Sequence, residues 1–117
     1  MLNTLALVAF GGALGSAARY LVGTAVAFPF GTLSVNVIGS FAIGALWASQ
    51  MGKTDGWGAF VLIGVLGGFT TFSSFSLDVL RLAADGRFGA AGAYVLASVA
   101  LSLAAVFAGL MLMRGVP

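Results

Sequence analysis

The chain has 117 residues, of which 61% are hydrophobic and only 7% are charged. An average soluble domain carries about 25% charged residues, so this composition excludes a soluble globular protein and indicates an integral membrane protein. The absence of Cys, His and Glu removes the usual candidates for disulfides, zinc sites and acid–base catalysis. With a net charge of +2 there is no basic patch for nucleic acid, and we expect no enzymatic activity.

Long uncharged stretches define four candidate membrane spans. A bilayer-crossing helix needs about 20 apolar residues, and the uncharged run after Arg19 is broken by Phe28-Pro29-Phe30-Gly31. The first stretch lacks a basic segment before it, so we interpret it as a helix and not as a signal peptide. The expected fold is an all-α membrane protein forming a single domain over residues 1–117, with helices at about 2–22, 32–49, 56–84 and 88–114.

The charges give almost no preferred orientation in the membrane. Four spans put both termini and the loop after the second span on one side, with Lys53 and Arg114. The other side has Arg87, with Arg19 and Arg81 close by in the helix ends. This balance permits insertion in both orientations, so that the chain pairs with an inverted copy. A small protein with few charges gives the same balance without dual insertion, and the count leaves both possibilities open.

Glycine is unusually frequent: the chain has 18 in 117 residues, about twice the average share of about 7%. Gly11 and Gly15 in the first span, and Gly39 and Gly44 in the second, lie among other small residues. Small residues let membrane helices approach closely. Plain helix packing explains most of these glycines, but tight packing in so short a chain also predicts an oligomer.

The third span is predicted to break near its middle, within residues 67–74. Gly67 and Gly68 disfavour a helix, and the hydroxyls of Thr70, Thr71 and Ser73 compete for backbone hydrogen bonds. A continuous helix over residues 56–84 would be about 43 Å long, too long for a hydrocarbon core of about 30 Å. Freed carbonyls at this depth must be buried in protein or face a polar cavity. The break is therefore either an ion site or a kink closed by its own hydroxyl groups.

Other polar side chains are expected to converge on the break. Asn36 lies in the middle of the second span, one helical turn after Thr32, and the fourth span carries a polar stripe spaced by four residues, at Tyr94, Ser98 and Ser102. Singly, each is typical of a helix–helix hydrogen bond, but together they exceed what packing needs. None is charged, which favours a weakly charged pathway over a proton relay.

Two other classes of function compete with a pathway for ions. A small multidrug-resistance exporter also has four spans and dual topology, but it needs a buried carboxylate in its first helix. The three acidic residues here lie at or near span ends, at Asp55, Asp78 and Asp85. A non-transporting assembly subunit would explain the small residues but not the coincidence of Asn36 with the broken span.

Three segments of the chain resemble the CrcB/Fluc family of fluoride channels: residues 11–20 (GGALGSAARY), 31–41 (GTLSVNVIGSF) and 67–76 (GGFTTFSSFS). The resemblance extends over the whole chain, and the third segment is highly specific. Ser74 stands where the family usually has Thr, but a hydroxyl is kept. The resemblance implies a passive fluoride channel that exports fluoride across the plasma (inner) membrane and so lowers its toxicity in the cytoplasm.

The resemblance also implies an antiparallel, dual-topology homodimer in the lipid bilayer, with two pores. The fluoride pathway would comprise Asn36, Thr32, Phe72, Ser73, Phe75, Tyr94, Ser98 and Ser102. Arg19 would lie near an aqueous vestibule, and main-chain carbonyls of Gly67 and Thr70 would hold a structural sodium ion at the dimer centre. Phe72 and Phe75 are three residues apart and share a face if the chain is helical there, so both could present electropositive ring edges to an anion.

Overall fold

The computed structural model describes residues 1–51 and 56–114, and all regular structure in these ranges is helical. Helix α1 covers Leu2–Ala25, and α2 covers Phe30–Leu46 and continues as a π-helix over Trp47–Met51. The third span consists of two helices, α3 over residues 56–69 and α4 over Phe72–Ala84. Helix α5 covers Phe88–Arg114.

Four helical spans are long and apolar enough to cross a membrane, which confirms the expected all-α membrane fold and makes this a multi-pass membrane protein. They are Leu2–Ala25, Phe30–Ser49, Gly56–Ala84 and Phe88–Arg114. The second span begins earlier than predicted because Pro29 is its N-cap residue, and proline is well tolerated where a helix starts. Lys53, on which the charge count relied, lies outside the described residues, so dual insertion stays a prediction.

Helix α1 packs along α3, and glycines bring the two backbones into contact. A Cβ atom at Gly15 would meet the carbonyl oxygen of Val65, and one at Gly11 would meet that of Phe60. The middle half of α3 is a π-helix, Ala59–Val65, whose turns are wider than those of an α-helix. The glycines of the first span therefore let that span pack closely against the upstream half of the third span.

Helix α2 packs chiefly against α5, again through glycines. A Cβ atom at Gly44 would meet the carbonyl oxygen of Val106, and one at Gly109 would meet that of Phe41. Because these close approaches all lie within one chain, the glycines do not by themselves require a second copy. The oligomer expected from them stays a prediction.

A small core fixes α4 against α5 and so positions the polar residues between them. Its buried members are Phe75, Leu82, Ala91 and Tyr94. Phe75, Asp78 and Leu82 are the buried residues of α4, and their spacing of three and four places them on one face. The downstream half of the broken span is thus held by α5, whereas the upstream half is held by α1.

We predict that Gly44→Ala destabilises the protein, because the added methyl group overlaps the Val106 carbonyl and must push α2 away from α5. Overpacking of this kind costs about 1–3 kcal/mol. Thermal unfolding in detergent measures the effect, with Gly89→Ala as a control because a Cβ atom there meets nothing within 4 Å. Equal melting temperatures for the two variants would contradict this packing.

Candidate functional site

The third span is interrupted by two extended residues at its middle. Thr70 has φ −86° and ψ 158°, and Thr71 has φ −157° and ψ 123°. Both lie within the interval predicted to break, and β-branched threonines fit extended backbone well. Helix α4 begins at the next residue, with the Thr71 hydroxyl accepting a hydrogen bond of 3.1 Å from the amide of Ser74. Thr71 is therefore the N-cap of α4.

The side-chain amide of Asn36 closes this break from α2. Its Nδ2 donates to the carbonyl oxygen of Thr71 at 3.0 Å, and its Oδ1 accepts from the amide of Thr71 at 2.8 Å. Both polar groups of the Thr71 backbone are thus satisfied by one side chain, as they would be by a neighbouring strand. A primary amide has two N–H donors, and this pairing uses one. The second N–H of Asn36 is left for another acceptor.

Two backbone amides at the break donate to side chains, so two main-chain carbonyls lack the amide donors that they would have in a continuous helix. In a continuous helix, the Thr71 amide would donate to the carbonyl of Gly67, and the Ser74 amide to that of Thr70. Here those two amides donate to side chains, the first to Asn36 and the second to Thr71. These are the two carbonyls that the family resemblance assigns to sodium, and a carbonyl short of a donor suits a hard cation. The carbonyl oxygens of Gly67 and Thr70 are therefore of the chemical type that binds a sodium ion.

Arg19 of α1 also contacts the break. Its Nε donates at 3.1 Å to the carbonyl of Gly68, in the last turn of α3, and so satisfies that carbonyl. The Thr70 hydroxyl donates to the carbonyl of Leu66 at 2.9 Å. The break is thus closed partly by its own hydroxyls and partly by side chains from α1 and α2.

A groove of about 220 Å³ lies beside the break, between α2, α4 and α5. Five of the predicted pathway residues line it, together with Val99 and Leu103: Asn36, Phe72, Phe75, Ser98 and Ser102. The hydroxyl oxygen of Ser98 is buried and makes no well-formed hydrogen bond among the described residues, although it lies near the Tyr94 hydroxyl. The groove therefore offers an amide N–H and a hydroxyl that the protein itself does not fully use.

The aromatic rings along the groove are in mutual contact. The ring centroids of Phe72 and Phe75 lie 5.4 Å apart, as expected for residues three apart at the start of a helix. Phe75 is buried and contacts Tyr94, with centroids 5.5 Å apart. Phe72 is 79% exposed, so the groove is open along that edge. One chain alone does not enclose a pathway here.

A second, more polar cavity of about 320 Å³ lies between α1, α2 and α4. Its charged and hydroxyl-bearing lining includes Arg19, Thr32, Ser74, Asp78 and Arg81. We call it the vestibule. Arg19 thus lies where the resemblance expects an aqueous space, although its role there stays a prediction.

Three of the predicted pathway residues lie outside the groove. Thr32 lines the vestibule. Tyr94 is buried, and its Oη donates to Oδ2 of Asp78 at 2.9 Å, so it connects the aromatic rings of the groove to the vestibule. Ser73 is exposed, with its hydroxyl 3.3 Å from that of Thr71.

Asp78 corrects the expectation that no charged group accompanies these polar residues. The sequence places it near the end of a span, but the structure leaves it only 7% exposed, bonded to Tyr94. Its position three residues after Phe75 and four before Leu82, on the apolar face of α4, is the signal that could have revealed its burial. It lies in the third span and is already hydrogen-bonded, unlike the first-helix carboxylate that a proton-coupled exporter needs.

Four apolar spans, a polar break and a groove with unused donors define an integral membrane protein with a candidate ion site. The family profile described as CrcB-like protein, Camphor Resistance (CrcB), matches residues 6–110. A fluoride-specific ion channel FluC of Rhizobium meliloti (strain 1021) is 52% identical over 122 aligned positions, covering 97% of this chain and 98% of that protein.

Further relatives of the same description come from other bacteria. The one from Agrobacterium fabrum is 51% identical and covers 97% of this chain and 98% of its own length. The one from Caulobacter vibrioides (strain NA1000 / CB15N) is 47% identical, with 98% of each chain covered. The chain belongs to the CrcB family, which confirms the resemblance drawn from the three sequence segments.

We predict that Tyr94→Phe destabilises the protein, because it leaves the buried Asp78 carboxylate without its hydrogen-bond donor. Loss of one partner from a buried polar pair costs about 1–3 kcal/mol. Thermal unfolding in detergent measures this, and Tyr20→Phe is the matched control because Tyr20 is 70% exposed. A Tyr94 variant as stable as the Tyr20 variant would show that the hydrogen bond contributes nothing.

Proposed function

We propose that this chain is a fluoride-specific ion channel that lets fluoride leave the cytoplasm passively across the plasma membrane. The observation that carries the proposal is the groove, in which Asn36 has an N–H to spare and the buried Ser98 hydroxyl makes no well-formed hydrogen bond among the described residues. The relatives described as fluoride-specific ion channels support the same conclusion. On this proposal the protein moves an ion and is not an enzyme.

The chemistry of the groove suits a small, strongly hydrated anion. Fluoride leaves water only where other donors replace its hydration shell, and an amide N–H and hydroxyl groups are such donors. The edges of the Phe72 and Phe75 rings carry partial positive charge and add weaker contacts. The lining residues of the groove are uncharged. An ion held only by neutral donors is held weakly enough to move on, which a channel requires.

The working unit we propose is an antiparallel homodimer in which a second copy closes the groove. The support is the open edge at Phe72 and the break, where the carbonyls of Gly67 and Thr70 have lost their helical donors. An in-plane twofold axis would bring the two breaks together. Carbonyls of Gly67 and Thr70 from both copies would then hold a structural sodium ion, which supplies fixed positive charge between the subunits.

Efflux from reconstituted vesicles tests the transport function. Vesicles loaded with potassium fluoride or potassium chloride are made permeable to potassium, and the released anion is followed with an electrode. We expect rapid fluoride release, retention of chloride, and no need for a proton gradient. Equal chloride release, or fluoride release only under a proton gradient, would overturn the proposal.

We predict that Asn36→Asp abolishes fluoride efflux. The carboxylate keeps an oxygen for the Thr71 amide but loses the Nδ2 donors, and in its ionised form it repels the anion. Efflux from vesicles measures the effect, and gel filtration and thermal unfolding check that the variant folds. Asn3→Asp makes the same chemical change at an exposed position and should conduct normally. Normal efflux through a folded Asn36→Asp protein would show that Asn36 has a structural role and takes no part in transport.

The antiparallel arrangement predicts complementation between copies of fixed orientation. Extra Lys residues in the loop between the second and third spans should fix one orientation, and extra Lys residues in the turn between α4 and α5 the other. Each form alone should lose fluoride efflux, whereas co-expression of both should restore it. Full activity of either form alone would mean that the subunits are parallel or act singly.

A further inference from the structure

Arg81 stands at the mouth of the vestibule and has no part in the groove. It lies in the last turn of α4, is exposed, and lines both the vestibule and a smaller adjoining cavity of about 180 Å³. The central carbon of its guanidinium group lies 5.7 Å from the centroid of the Phe28 ring. A cation at this distance from a ring face is attracted to it, which restrains a long side chain that would otherwise be free.

Of the charged residues that line the vestibule, Arg81 is the one whose charged group makes no hydrogen bond in the part of the chain that the structure describes. Arg19 gives its Nε–H to the Gly68 carbonyl, and Asp78 accepts from Tyr94. Within residues 1–51 and 56–114, the guanidinium of Arg81 has its ring contact but neither a hydrogen bond nor an ion pair. Two arginines and one aspartate line the cavity, which makes its charge positive overall.

We propose that Arg81 is the residue that collects anions at the vestibule, and that Phe28 holds it in place for this purpose. A fixed cation at the mouth of a cleft raises the local anion concentration through its field, without needing to bind the ion in the groove. The effect on fluoride flux rests on the proposed function, whereas the effect on the local potential does not. Arg81 therefore sets how often an anion enters, and the groove sets which anion passes.

A thiol placed in the vestibule measures this potential directly. The chain has no Cys, so Thr24→Cys introduces a unique thiol on the wall of the same cavity. In detergent, the rates of its modification by negatively and positively charged methanethiosulfonates are compared. Arg81→Gln should lower the ratio of the anionic to the cationic rate about fivefold at an ionic strength of about 0.01 M, and Arg81→Lys should preserve it.

A thiol at the other end of α1 is the control. Asn3→Cys lies about 31 Å from position 24 along the helix, and its rate ratio should not respond to Arg81→Gln. At about 1 M salt, where the screening length is about 3 Å, the ratio at position 24 should also stop responding. An unchanged ratio in Arg81→Gln at low salt, or an equal fall in Arg81→Lys, would overturn the proposal.

Fluoride efflux then tests the consequence for transport. At fluoride concentrations below saturation and low ionic strength, Arg81→Gln should lower efflux about twofold, because a potential that changes the anion-to-cation ratio about fivefold changes the concentration of one monovalent anion by the square root of that factor; near 1 M of an impermeant salt the variant should match the unsubstituted protein. Arg81→Lys should conduct normally throughout. Absence of fluoride efflux from the unsubstituted protein would be a failure of the proposed function, and the thiol ratio would still decide the role of Arg81. Equal loss in the Gln and Lys variants would assign Arg81 to packing.

Discussion

The pairing of the Asn36 amide with both polar groups of the Thr71 backbone is the interaction on which this structure depends. A helix that stops in mid-membrane exposes donors and acceptors that lipid cannot satisfy. Asn36 supplies both partners from a neighbouring helix, at 3.0 and 2.8 Å. The third span can therefore be broken at little cost, and the bilayer can accommodate its two halves as separately oriented helices.

Closing the break in this way leaves groups that attract cations and groups that attract anions. The amides diverted to side chains leave the carbonyls of Gly67 and Thr70 short of donors, which makes one side of the break attractive to cations. Asn36 keeps a second N–H, which makes the groove side attractive to anions. One local rearrangement thus leaves carbonyl acceptors and an amide donor without their usual partners a few residues apart, with no charged side chain in the groove.

Much of the fold was predictable because the bilayer imposes length and polarity on every span. Uncharged runs located the four helices, and the glycine and threonine pairs located the break. The partner of Asn36 was not predictable, because Thr71 lies 35 residues away and only helix packing brings the two together. The position of Thr32 in the vestibule depends on helix rotation in the same way, whereas the burial of Asp78 could have been read from its spacing to Phe75 and Leu82.

We propose that Asn36 holds the break with one N–H and offers the other to fluoride. The chain has two Asn residues, Asn3 and Asn36, so selective ¹⁵N labelling of asparagine gives two side-chain NH₂ groups in an NMR spectrum. With fluoride, we expect one of the two Asn36 side-chain protons to shift while the other stays fixed, with no change at Asn3 and none with chloride. Movement of neither Asn36 proton, or an equal response to chloride, would contradict it.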